Sequence, residues 1–236
     1  MKRIKFLFLI ITLFLNECAI AQNTNSSDGE KKSYLSLGIG PSVPLAEYAS
    51  KDFADPQSGY ANIGPWIHIS YARRIGERFG ATGLLFGNIN SFDEATIEFY
   101  YPVDFTSDPW KNAGVMLGGY YTSGSPDISF EMRLMLGYFV SVSPAATVRG
   151  FDDNDDPLKV YFEEAMTGAL CGDLGLGLKT RISDRVSFIA MLDFMVAEPE
   201  YTNTKTYRND LLYSVETYSQ PMSTMNLSIG IAINLK

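Results

Sequence analysis

The sequence predicts an all-β fold, an eight-stranded antiparallel up-and-down transmembrane β-barrel. Three observations predict it. The chain opens with an export signal, eight segments alternate apolar with small or polar residues, and the connections between those segments alternate long and short.

The export signal is read first. Lys2, Arg3 and Lys5 precede an apolar run from Phe6 to Leu15, and Ala19-Ile20-Ala21 then supplies a small-x-small cleavage site. This is the layout of a secretory signal peptide. The apolar run is too short to span a bilayer, which needs about 20 such residues. The expected organisation is a signal peptide over 1–21, a flexible leader over 22–32 and a barrel domain over 33–236. Cys18 follows Glu17, whereas a lipoprotein signal wants a small residue there, so Cys18 is expected to leave with the signal. Cys171 is then the one cysteine of the mature chain, which excludes an internal disulfide.

The alternation is taken in chain order. Leu35, Leu37 and Ile39 interleave with Ser36, Gly38 and Gly40. Ile67, Ile69 and Tyr71 interleave with Trp66, His68 and Ser70. Residues 79–89 are strand-like but blurred, because Leu84, Leu85 and Phe86 run together. Ala113, Val115 and Leu117 begin the fourth segment, Phe130 to Val140 the fifth, and Leu170 to Leu178 the sixth. The seventh runs from Val186 to Val196. The eighth holds Leu227, Ile229, Ile231, Ile233 and Leu235 against Asn226, Ser228, Gly230, Ala232 and Asn234. In a strand the two sets point to opposite faces.

The connections 42–63, 92–109, 143–165 and 198–223 are long, and those at 76–78, 123–126 and 183–184 are short. Transmembrane barrels have brief periplasmic turns and longer outer loops. The segment 200–219 is long enough for a β-hairpin reaching past the membrane. Charge follows the same division. The precursor has 19 basic and 27 acidic residues, and loss of the signal leaves a net −10. The four long loops carry −2, −5, −4 and −2, so the remainder is +3. An acidic chain of this kind lacks the basic face that nucleic acid needs.

A soluble ligand-binding barrel would reverse the polarity. Here Glu131, Arg133, Asp173 and Asp193 stand in mid-strand on one face, and the opposite face of those strands is uncharged. An Arg facing lipid at mid-bilayer costs about 2–4 kcal/mol, so the charged face is expected inside.

The opening strand Leu37-Gly38-Ile39-Gly40-Pro41 with Val43-Pro44-Leu45, the stretch Phe79-Gly80-Ala81-Thr82-Gly83 and the terminal Gly230-Ile231-Ala232-Ile233 resemble the small outer-membrane β-barrel proteins of Bacteroidota, the grouping that includes PorT-like barrels. The resemblance covers nearly the whole mature chain. It implies a Gram-negative outer-membrane location, and a PorT-like affiliation implies an accessory role in a secretion or uptake machine. The chain departs from many such barrels by ending Asn234-Leu235-Lys236 rather than on an aromatic residue.

Four constellations could carry chemistry. Glu131, Arg133, Asp173, Asp193, Lys179 and His68 are expected to form a polar network in the lumen, paired for structural reasons. An eight-stranded barrel is just wide enough for its own side chains, so an open pore is not expected. His68-Ile69-Ser70 resembles the His-x-Ser pair of outer-membrane lipid A deacylases, but its face points to the lumen rather than to lipid. Asp152, Asn154, Asp156 and Glu163 fall at EF-hand-like offsets, a weak candidate metal set, since Pro157 stands where that loop needs glycine. Aromatics crowd the long loops, among them Trp110, Tyr201 and Tyr218, and Tyr100, Tyr101, Tyr161, Tyr207 and Tyr213 are the candidates for surface binding.

The expected function is non-enzymatic and needs no cofactor. It is a structural or loop-mediated binding role at the cell surface. The partners would be outer-membrane lipid, lipopolysaccharide and an extracellular protein or glycan. A lipid-modifying enzyme and a secretion accessory subunit are the alternatives.

Overall fold

A computed structural model describes residues 33–101, 103–151 and 155–235. The expected signal peptide with Cys18, the leader 22–32, and Asp152 and Asn154 of the acidic cluster lie outside the described residues. In chain order the strands are β1 (Ser33–Leu45), β2 (Gly64–Arg74), β3 (Phe79–Asn90), β4 (Asp104–Ser107), β5 (Trp110–Gly124), β6 (Ile128–Val142), β7 (Ala146–Phe151), β8 (Pro157–Phe162), β9 (Met166–Arg181), β10 (Val186–Ala197), β11 (Glu200–Arg208), β12 (Leu211–Ser219) and β13 (Met222–Leu235). A short helix, α1 (Glu94–Tyr100), precedes β4.

Eight of these strands, in the order β1-β13-β10-β9-β6-β5-β3-β2, close into an antiparallel barrel. They coincide with the eight alternating segments. First and last strands meet along the seam, with Leu37 opposite Ile231 and Gly38 opposite Gly230. The three short turns are closed by backbone bonds, such as Ile75 N–H to Phe79 O, Ser125 N–H to Ile128 O and Ser183 N–H to Val186 O. The long connections leave from the other end.

Lipid explains the alternation. Leu37, Ile69, Leu117, Leu136, Leu176, Phe194 and Ile229 point outward and are exposed, while Ser36, Ser70, Thr82, Asn112, Asp173, Asn226 and Ser228 point inward and are buried. Water would penalise so large a continuous apolar exterior, whereas hydrocarbon accepts it. A closed sheet also leaves no unpaired backbone edge in that medium. The barrel therefore spans a membrane. In β3, Leu84 and Phe86 turn into the lumen while Leu85 stays outside, which is why the alternation there is blurred. Small residues serve close approach on the inner wall. A Cβ placed on Gly38 would stand 2.4 Å from His68 Cε1, because the histidine ring lies across that glycine from the paired position.

Outside the barrel the long loops fold into a second sheet, ordered β12-β11-β8-β7-β4. The expected hairpin within 200–219 is present as β11 and β12. The strands β4, β7 and β8 and the helix α1 are additions that loop length alone does not reveal. The β11–β12 turn is Asn209-Asp210, with φ of 48° and 64°. Two successive positive φ values make the mirror-image turn whose twist suits a hairpin. This tip is fastened to β8. Asn209 N–H donates to Lys159 O at 2.8 Å, Lys159 N–H donates to Asn209 Oδ1 at 2.9 Å, and Lys159 Nζ pairs with Asp210 at 2.8 Å.

Candidate functional site

The lumen is filled in layers. At the outer mouth, Tyr48 from the 3-10 turn Ala46–Tyr48 folds inward and is fully buried. It meets Trp110 edge-on at 5.7 Å, Trp110 lies 6.1 Å from Tyr201, and Tyr201 stacks on Tyr218 at 5.1 Å. The polar atoms of this cluster are satisfied. Trp110 Nε1 donates to Gly59 O at 2.9 Å, Asn112 Nδ2 donates to Tyr48 OH at 3.3 Å, and Tyr201 OH bonds Ser141 Oγ at 2.5 Å. Sequence position groups Trp110, Tyr201 and Tyr218 with the aromatics of the long loops. They cork the barrel instead, because their strands turn them inward at the rim.

Beneath the cork, Trp66 stacks on Phe86 at 5.0 Å, and Met116, Met135, Phe139 and Met195 fill the remaining width. Methionine suits such a gap, since its unbranched chain adapts to irregular space. The next layer is ionic. Arg133 donates from Nε at 3.1 Å and from Nη2 at 2.7 Å to Asp193 Oδ1, and Asp173 Oδ2 lies 3.8 Å from Arg133 Nε. Below it, Lys179 pairs with Glu131 at 3.1 Å and stands 4.2 Å over the Tyr34 ring, while Tyr34 OH donates to Glu131. All five predicted charges are thus brought together as two linked groups. Tyr34 completes the second of them, and its residue type alone does not single it out in the sequence. The inward parity of Tyr34, the residue before Leu35, is the signal that could have found it.

His68 lies in the same lumen. Its Nδ1 accepts a hydrogen bond from Trp66 Nε1 at 3.0 Å. Ser70 does not bond to it; Ser70 Oγ shares a hydrogen with Ser36 Oγ at 2.6 Å. Both residues are buried away from lipid. The lumen ends at the short-turn side in a vestibule of about 570 Å³ whose lining includes Arg74, Arg78, Lys179 and Arg181. These four cations lie in or beside the short turns, on the side where the net charge of the sequence is positive.

Of the weak metal set, the two described members, Asp156 and Glu163, do not come together. Asp156 precedes β8 and Glu163 follows it, so a six-residue strand separates them by roughly 20 Å. Glu163 pairs instead with Lys205 at 3.3 Å. Among the described residues no cluster of three or more His, Cys, Asp or Glu could hold a metal ion.

The five surface aromatics divide. Tyr161 and Tyr207 are half-buried neighbours across β8 and β11, 6.1 Å apart. Tyr213 is exposed and rims a groove of about 470 Å³ whose apolar lining includes Leu158, Val160 and Phe162. Tyr100 and Tyr101 are exposed and pack edge-on against Phe53 from the first loop, at 5.2 and 5.3 Å.

The first two loops are clamped at Asp93. Lys51 Nζ lies 2.5 Å from its carboxylate, and Thr96 donates a hydrogen bond to the same oxygen. Burial raises the Asp93 carboxyl, but the bonds from Lys51 and Thr96 more than offset this, and it lies below its ordinary value of 3.8. A folded value below the unfolded one gives stability that is present above the unfolded value and lost as pH falls through the folded one. The first loop is therefore expected to loosen from the second in acid. The NMR lines of residues 51–62 should sharpen as pH falls below the ordinary carboxyl value of 3.8, and Lys51→Met should weaken that dependence. Because Lys51 is partly exposed, the effect is local and modest.

No known protein family matches the chain, and no curated protein matches it. Among solved structures it is similar to Neisserial surface protein A, with 11% identity and a TM-score of 0.47 over 86% of this chain and 97% of that one. It is similar to Ail, the attachment invasion locus protein of Yersinia pestis, with 14% identity and a TM-score of 0.46 over 87% and 99%. It is also similar to the outer membrane protein OprG of Pseudomonas aeruginosa, with 12% identity and a TM-score of 0.45 over 88% and 98%. At these identities the likeness is one of fold, and the chain itself is a closed, eight-stranded, membrane-spanning barrel.

Proposed function

We propose that this chain is an integral outer-membrane protein that does not transport through its lumen and that binds a partner at the cell surface through the sheet built by its long loops. The observation that carries this reading is the pairing of a corked, side-chain-filled barrel with an ordered five-stranded platform above it. A wide channel would leave the lumen open, and a purely structural barrel would not need its loops built into a sheet. Function on rigid scaffolds concentrates in such outer segments. Outer-membrane lipid surrounds the apolar belt, with lipopolysaccharide in contact with the outer rim. The acidic loops favour a partner carrying positive charge.

The reading is non-enzymatic. In support, Ser70 is bonded to Ser36 rather than to His68, and both are sealed from the lipid that a lipid-modifying enzyme must reach. The finer affiliation with PorT-like barrels would make the surface partner a component of a secretion machine.

The test is electrical. In planar bilayers the purified barrel is expected to give no stepwise conductance, and regular channel steps from the folded protein would sink the proposal. A variant that empties the plug, Tyr48→Ala with Trp110→Ala and Tyr201→Ala, is expected to begin to conduct. That gain would show that the assay reads the lumen.

A further inference from the structure

The outer sheet has two edges, and they are treated differently. At the β4 edge, the outward backbone N–H groups are already taken by α1. Glu94 Oε1 accepts from Ser107 N–H at 2.5 Å and from Ser107 Oγ at 3.0 Å, and Glu98 Oε1 accepts from Phe105 N–H at 3.4 Å. At the β12 edge, no described segment pairs with the strand on its outer side. Leu212, Tyr213 and Val215 are exposed there, and Glu216 is the one charged residue of the strand. Native edges are ordinarily blunted by lysine, proline, a bulge or a cover. A bulge at Tyr213 interrupts the part of β12 near the tip. A second irregularity lies in the inner neighbour β11 between Tyr201 and Thr204, across from Glu216 to Tyr218, while Ser214 to Ser219 itself carries neither lysine nor proline.

We propose that the free edge of β12 from Ser214 to Ser219 takes up an extended segment of an extracellular polypeptide as a sixth strand, one that places a basic side chain opposite Glu216. This rests on the reading that the platform binds a partner. A row of backbone donors and acceptors at strand spacing is matched by another extended backbone. Charge selects the side chains, because an opposite charge directly across a strand pair stabilises it and a like charge does the reverse. The acidic balance of the four long loops, −13 in sum, draws the same basic segment in.

The test uses the full chain in detergent micelles and a fluorescent decapeptide of alternating valine and lysine. Two comparison peptides are the same decapeptide N-methylated at every residue, so that neither of its edges can donate, and one of alternating valine and glutamate. Saturable binding of the first is expected, with affinity falling by at least about tenfold on N-methylation as edge hydrogen bonds are lost. Glu216→Lys should weaken the lysine peptide and favour the glutamate peptide, with gel migration confirming that the variant is folded. Equal binding of the N-methylated peptide would reduce the contact to bulk charge and overturn the proposal without relying on any variant. Failure of every peptide to bind a barrel that remains non-conducting would sink the edge inference alone. Conductance steps would sink the underlying reading. A disulfide-linked dimer formed efficiently by Val215→Cys would assign the edge to a second copy and overturn the external partner.

Discussion

Replacing Arg133 with alanine is expected to destabilise the barrel by about 3–5 kcal/mol, because it strands two buried carboxylates. Asp193 loses both of its hydrogen bonds from the guanidinium, and Asp173 loses a cation 3.8 Å away. All three side chains are almost wholly buried, so solvent cannot take over. The measurement is the urea midpoint of unfolding in detergent, read by heat-modifiable gel migration. A combined Arg133→Met, Asp173→Asn and Asp193→Asn variant should recover most of the loss, since it removes the charges together rather than orphaning some. If Arg133→Ala unfolds at the wild-type midpoint, the ionic layer is not what holds the lower lumen.

One residue along the same strand, the same amino acid is expected to do harm by being present. Leu134 points to lipid near the middle of β6 and is 55% exposed on the barrel wall. Leu134→Arg should cost about 2–4 kcal/mol at the bilayer midplane. Ile128→Arg, on the same face at the short-turn end, should cost only about 0–1 kcal/mol. The gradient between the two positions, measured by reversible unfolding in lipid vesicles, checks both the face and the depth assigned to β6. Equal costs would contradict the placement of the apolar belt.

The barrel is legible in the sequence because lipid is a strict selector. Every outward position of a strand such as β13 must be apolar or small, so Leu227, Ile229, Ile231, Ile233 and Leu235 announce the pairing face. The lumen selects less strictly. It accepts Arg133 in one layer and Phe86 in another, which is why β3 reads poorly. The charged positions of the candidate network stand out as charges in mid-strand, but their partners do not. Arg133 reaches Asp193 across β9, and that register is set by turns rather than by pattern. The outer strands are the least legible. In β7 and β8 many side chains are half-buried on either face, so no period of two develops, and only the length of 200–219 hinted at a hairpin. The inward turn of Trp110 and Tyr201 is likewise a matter of where each strand crosses the rim. Neither residue's neighbours in sequence reveal it.

The aromatic cork at the outer mouth has a kinetic meaning. Tyr48, Trp110 and Tyr201 come from distant parts of the chain and meet only when the wall between them is complete. Such contacts add nothing to the speed of assembly, since the ring must close first and long-range closure is slow. Their stabilisation arrives after the rate-limiting step and falls on the reverse reaction, raising the barrier to opening. The cork is thus a latch set last, and its service is to make the closed state long-lived.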